Sequence, residues 1–419
     1  MLSTLKKITI GYTVAALVAV GCNQHHNNAD SKTASTTTPH YTLQAPLPIS
    51  TAEKQALQYK CNLFYDSMLN KSGFNGGMIV AKDGNIIFEK YKGSINLDDK
   101  VPITDSTPLH IASVSKTFTA MAVLKLQQQQ QLNINDLFSK YFPAFNYEGV
   151  TIKSLLNHRS GLPNYLYFME DLGWPKDSLI HNNDVLNWLI QKKDSIKNIA
   201  PANKHFTYCN TNYALLALLI EKVSGQTYPQ FIQQQIFDAI GMQHSFVHFT
   251  NDGKIRSKTF DWKGREIPDN NLDEVYGDKN IYSTPKDLLM WDKVLRDTQF
   301  LPATYIQMAY EPYSNEKAGI KNYGLGWRMN NYDDGKKIIF HNGWWHGNNA
   351  SFIRLIKENA TIIVISNRFT RNVYKAKLLA NIFNHFFDTD VEENESAATT
   401  NMVDTVASKS SKKVYPKKK

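Results

Sequence analysis

Three cysteines in 419 residues, Cys22, Cys61 and Cys209, are too few for a disulfide framework. Cys61 and Cys209 stand far apart and read as two free, buried thiols, even in an oxidising compartment. Metal-type spacing is also missing. His110, His158, His205 and His346 fall in no HExxH-like arrangement, so no metal and no cofactor is expected. The formal charge of +9 comes without a helix-length cluster of Lys and Arg, which excludes nucleic acid as a partner. Part of that charge lies in Lys6 and Lys7 near the start and in a Lys-rich closing run, leaving a mildly basic body. The apolar run from Ile8 to Val20 is too short to span a bilayer comfortably.

That run is instead the centre of a leader. "MLSTLKKITIGYTVAALVAVGC" sets two lysines before the apolar stretch and small Gly21 before Cys22, a signal-peptide layout over residues 1–21. A small residue before such a cysteine resembles a bacterial lipoprotein processing site, although Ala19 stands where leucine is more usual. Cys22 is then the lipidated first residue, with secretion after nearby cleavage as the alternative. Membrane attachment through this lipid puts the protein in the bacterial cell envelope, on the periplasmic or outer-membrane side. Residues 22–50, polar and poor in core formers, read as a flexible tether, with His25 and His26 as spacer rather than metal ligands.

The body opens with helical spacing of Leu57, Cys61, Phe64 and Met68. Two β-rich runs flank Asp83-Gly84-Asn85, a hairpin signal. A helix follows from Ser113 to about Gln130, and the pattern stays helical to about residue 270. "YALLALLIEKVSG" (213–225) is a buried helix stopped by Gly225. "STPKDLLMWDKVL" (283–295) is a helix with Ser283 as N-cap and Pro285 in its first turn. "YGLGWRM", "KKIIFHNG", "NASFIRLI" and "TIIVISN" are four strand runs with short turns, an antiparallel meander. Residues 373–387 form an amphipathic helix, and 389–419 read as a disordered tail. Strands at both ends around helices suggest one sheet built from both ends of the chain, with a helical domain inserted. The α/β part covers 51–115 and 275–388, and the helical part 116–274.

Three stretches hold candidate chemistry. In "HIASVSKTFTA", Ser113 starts a helix, where free N–H groups and a positive potential favour a developing oxyanion. Lys116 lies one turn on, on the same face, and a lysine stripped of water is a plausible proton acceptor for the hydroxyl. Ser-x-x-Lys recurs at Ser3, Ser283, Ser314 and Ser410, so on this pair alone a capping serine and a surface lysine is the better reading. "FTYCNTNYALL" offers Tyr208 to shuttle protons and Asn210 to hold a substrate carbonyl. Tyr313 and Asn315 repeat that spacing. In "FHNGWWHGNNASF", His341, Asn342 and Gly343 end a strand. Gly343 allows close backbone approach, and the N–H of Trp344 is a second oxyanion donor. The Trp344 and Trp345 rings either wall an acyl group or fill the core.

In this order, "IASVSKTFTA", "YCN" and "HNG" resemble the motifs of the serine β-lactamase and penicillin-recognising hydrolase superfamily. The nearest branch is class C β-lactamases, D-alanyl-D-alanine carboxypeptidases and related esterases. "LLNHRSGLPNY", "TNYALLALLIEKVSG", "GDKNIYSTPKDLLMW" and "YGLGWRM" look familial too, so the resemblance covers about 55–385. It implies an α/β fold of the α+β kind: an antiparallel β-sheet flanked by N- and C-terminal helices, with an inserted all-helical domain. It implies an acyl-enzyme on Ser113, proton transfer by Lys116 and Tyr208, and substrate held by Asn210, His341, Gly343 and Trp344. The substrate is a small molecule or peptide, with peptidoglycan fragments among the candidates. His341 stands where β-lactamases carry a lysine for the drug's carboxylate. A histidine with an ordinary pKa near 6.5 is mostly neutral at pH 7. This favours an esterase or D-amino-acid peptidase over a potent β-lactamase. On this reading, activity on anionic substrates rises toward acid pH as His341 gains its proton.

Overall fold

In the computed structural model, residues 39–98 and 100–387 are described. The leader, Cys22 and the C-terminal tail lie outside them.

Ser50 accepts from the N–H of Glu53 and caps α1 (Thr51–Phe64), which widens into a π-helical turn at Tyr65–Leu69. Strands β1 (Gly76–Lys82) and β2 (Asn85–Lys92) form the expected hairpin, with φ of 53° at Asp83 and 76° at Gly84. This positive pair is the turn whose twist suits a hairpin. Next come β3 (Leu109–His110), a 3₁₀ turn (Ala112–Val114) and α2 (Ser115–Gln128). The helical stretch holds α3 (Ile152–Leu156), α4 (Tyr165–Asp171), α5 (Asn182–Gln191), α6 (Asn210–Ser224), α7 (Tyr228–Ile232) and α8 (Asp238–Ile240). After β4 (Phe246–Val247) and β5 (Ile281–Ser283) come α9 (Pro285–Arg296) and α10 (Ala303–Ala309). The chain closes with β6 (Lys321–Tyr323), β7 (Arg328–Asn331), β8 (Lys337–Trp345), β9 (Asn348–Leu355) and β10 (Ala360–Ser366).

The main sheet runs β2-β1-β10-β9-β8-β7-β6, antiparallel throughout, so the first hairpin does join the last strand. Strand alternation splits β10 between two cores. Ile363 and Ile365 face the larger one, with Phe118, Leu215 and Leu288 from α2, α6 and α9. Ile362 and Val364 face the smaller one, with Cys61 and Phe64 from α1. The larger core runs unbroken from the sheet into the helical residues.

Several local expectations are corrected. "YGLGWRM" is not one strand. A Cβ at Gly324 would stand 2.0 Å from the Ala309 carbonyl oxygen, and Gly326 has φ of 83°. The chain breaks there between β6 and β7. Thr284, not Ser283, caps α9, accepting from the N–H of Asp287 at 3.1 Å. Ser283 instead ends β5, because a second, unforeseen sheet of order β3-β5-β4 holds it extended. The C-terminal helix is a 3₁₀ helix over Arg371–Ile382. Its apolar residues Val373, Ala376, Leu379 and Ile382 recur every three positions, which three residues per turn stack on one face. Residues 39–50 carry no helix or strand, yet they are not loose as expected of a tether. Tyr41 donates its N–H to Ala239 at 2.9 Å and sets its ring 5.5 Å from that of Phe300, and Leu47 donates to Asp83 at 2.8 Å. No helix among the described residues is long and apolar enough to cross a membrane.

Candidate active site

The chain leaves β3 at His110 and turns sharply. Ala112 takes φ of 47°, a region that residues with a Cβ seldom enter. The imidazole of His110 holds this bend. Its Nδ1 accepts the N–H of Ala112 at 3.1 Å, and its Nε2 faces Asn280 Oδ1 at 3.4 Å. Burial pushes His110 down to about 3, so the ring stays neutral and can accept. Ser113 follows, partly accessible, one residue before the buried Val114.

Lys116 is fully buried one turn on. Its Nζ lies 3.1 Å from Ser113 Oγ and donates to the Asp278 carbonyl at 2.8 Å. It also sits 5.1 Å from the Tyr208 ring centroid and 5.6 Å from that of Tyr213. The carbonyl fixes the amine, so its remaining valence can face the serine. Of the five Ser-x-x-Lys pairs, the one at Ser283 is explained by β5 and α9, while this one forms a buried contact with a second motif.

Cys209 is extended, with φ of −143°, and α6 begins at Asn210. Cys209 turns its thiol away, 3.4 Å from the Pro163 carbonyl, and burial pushes that thiol up to about 11. It is packing, as its alternation with Tyr208 and Asn210 implied. Asn210 Oδ1 is buried and has no hydrogen-bond partner among the described residues, an acceptor available to a substrate N–H.

Strand β8 meets the serine turn edge-on. A Cβ on Gly343 would stand 2.3 Å from the Ile111 carbonyl oxygen and 3.1 Å from Ser113 N, so only glycine fits without displacement. The next amide along is that of Trp344. Its ring lies on the opposite face, 6.5 Å from Phe369, because side chains alternate along the strand. The Trp344 indole therefore points away from the serine turn, while Trp345 shares the face of Gly343. Trp345 Nε1 donates to Asp273 Oδ1 at 2.5 Å, and the buried Lys279 amine sits 4.7 Å from its ring.

His341 overturns one expectation. It is wholly buried, with Nδ1 2.7 Å from the Asn342 carbonyl and Nε2 3.2 Å from Tyr323 OH. Burial, followed by the charges of Arg328 and Lys116, holds it well below 6.5. Burial thus favours its neutral form. A permanent cation near Tyr208 is Arg328, whose guanidinium carbon lies 4.8 Å from the Tyr208 centroid and 5.9 Å from that of Tyr323. Sequence reading missed Arg328 because it lies between motifs, within a stretch taken as plain strand. It missed His110 because a histidine two residues before a bend carries no pattern of its own.

A helix-tip serine, a buried lysine one turn on and a tyrosine beside that lysine, all against a glycine-bearing strand edge, define a serine-centred acyl-transfer site. The chain belongs to the Beta-lactamase family, whose model matches residues 65–385. It is 29% identical over 346 residues to penicillin-binding protein 4* of Bacillus subtilis (strain 168), covering 78% of this chain and 75% of that one. It is 30% identical over 348 residues to protein flp of Staphylococcus aureus (strain MW2), covering 78% and 67%. Among solved structures, it superposes on the penicillin-binding protein from Bacillus halodurans with TM-score 0.66 at 24% identity, over 75% of this chain and 97% of the other. FmtA from Staphylococcus aureus gives 0.65 at 21%, over 85% and 94%. These likenesses show the fold, and the family supports serine acyl-enzyme hydrolysis in general.

Proposed function

We propose that the protein is a serine hydrolase that cleaves ester or amide bonds through an acyl-enzyme, of the esterase or D-amino-acid peptidase type. The observation that carries this is the 3.1 Å contact of Lys116 Nζ with Ser113 Oγ, with the amine held by the Asp278 carbonyl. Ser113 Oγ attacks the substrate carbonyl carbon as its proton passes to Lys116. The carbonyl oxygen becomes an oxyanion facing the N–H groups of Ser113 and Trp344. Collapse breaks the bond to the leaving group, which takes a proton by way of Tyr208. Water then attacks the acyl ester, its proton leaves through the same groups, and Ser113 regains its hydrogen. Asn210 Oδ1 orients the substrate.

Substrate preference follows from charge. With His341 neutral, a carboxylate-bearing leaving group meets Arg328, which suits a peptide with a free C-terminus. β-Lactamase activity, whose substrates also carry a carboxylate for Arg328, is the alternative within the same chemistry. A second reading, a protein that binds cell-wall fragments covalently without turnover, draws on the relatives named penicillin-binding proteins. Envelope attachment through Cys22 belongs to the same proposal. Incorporation of labelled fatty acid, lost in Cys22→Ala, tests it.

A fluorophosphonate probe should label the wild type and not Ser113→Ala, and labelling of the variant would overturn the proposal. Turnover should rank D-Ala-D-Ala peptides and p-nitrophenyl esters above a chromogenic cephalosporin. An acyl-enzyme that accumulates without product release, seen by mass spectrometry, would select the second reading.

A further inference from the structure

His158 ends the turn after α3 in a conformation that residues with a Cβ seldom adopt, with φ of 57°. The bend turns its side chain fully inward. There it grips the segment before α6 at two points. Its carbonyl accepts the N–H of Thr207 at 2.9 Å, and its Nδ1 accepts the N–H of Cys209 at 3.1 Å. These are the residues on either side of Tyr208. Asn212 Nδ2 lies 3.2 Å from the same Nδ1, and its Oδ1 accepts from Ser160 Oγ at 2.6 Å. With two donors on Nδ1, the ring proton is on Nε2. That Nε2 is buried with no hydrogen-bond partner among the described residues. The imidazole lies against the Tyr208 ring, centroids 4.4 Å apart and planes 42° apart. Burial, then the charges of Lys116 and Arg328, hold His158 well below 6.5, so it remains an acceptor.

We propose that His158 is a positioning residue for Tyr208, clamping the peptides on both sides of it so that the phenol stays beside the Lys116 amine. The inference rests on the role given to Tyr208 above. It predicts that the effect of residue 158 on rate passes through the phenol.

The test is single-turnover acylation of the full chain by p-nitrophenyl acetate, an uncharged ester that leaves Arg328 out. Tyr208→Phe should slow acylation by about 10²-fold, the lower end for a general acid–base group. His158→Ala should slow it by roughly tenfold or more, in line with misplacement of a catalytic group. The double variant should be no slower than Tyr208→Phe alone, because the two act as a unit. His158→Asn should stay near the wild-type rate, since its Oδ1 stands where Nδ1 does and Asn tolerates positive φ. His158→Gln, whose acceptor is displaced by one bond, should be slow. A fast His158→Ala, losses that multiply in the double variant, or equal rates for the Asn and Gln variants would overturn the inference. Should the Ala variant not fold, the Asn and Gln pair decides. A Tyr208→Phe variant at full rate would instead overturn the role of Tyr208.

Discussion

The turn that carries Ser113 and the segment that carries Tyr208 are held by the same device at different range. In each, a buried neutral histidine accepts, on Nδ1, the N–H of a residue next to the reacting one: Ala112 for Ser113, Cys209 for Tyr208. In each, a residue other than glycine takes positive φ, Ala112 at 47° and His158 at 57°. The difference is distance along the chain. His110 acts two residues away, within its own turn, whereas His158 reaches across 51. The serine side is thus built locally, and the tyrosine side depends on α3 meeting α6. In the proposed mechanism the hydroxyl nucleophile gains from a rigid seat, while the proton carrier has to be delivered to it by tertiary packing.

The comparison breaks most sharply at Gly343. Gly343→Ala should push β8 off Ile111 and slow acylation by about 10²-fold, the effect of an ångström-scale displacement, with the His158 clamp untouched. Fluorophosphonate labelling rates check this. Acid stability comes next. His110 titrates near 3 when folded and near 6.5 when unfolded, so the unfolded chain takes up its proton first as pH falls. Stability should therefore fall between about pH 6.5 and 3, by up to ~1.4 kcal/mol per pH unit from this group. His158 shifts in the same direction and adds to the slope. Urea unfolding from pH 7 to 4 should show a shallower loss in His110→Asn and in His158→Asn. The smallest effect belongs to Cys209→Ala. It keeps the backbone N–H that His158 holds and removes only the thiol near Pro163, so activity should stay within about threefold of wild type.

How much of this was legible follows the same division. The Asp83-Gly84 hairpin, the stop at Gly225 and the meander were readable because each is written in neighbouring residues. The residues of the three motifs were readable as chemistry, and the fold brings Ser113, Lys116, Tyr208 and Gly343 together. The sheet of β3, β5 and β4 was not, since strands of two or three residues have too little periodicity to register. The neutrality of His341, the face of the Trp344 ring, and the parts played by Arg328 and His158 depend on which distant elements pack against them. No local pattern encodes that.

Because β1 lies beside β10, the sheet has no natural halfway point. A ribosome that has delivered the nucleophile helix has not yet made the strand that completes its crevice, nor the partner of the first hairpin. Closure of the sheet therefore waits for the last strand of the chain. Such long-range pairing makes folding slow.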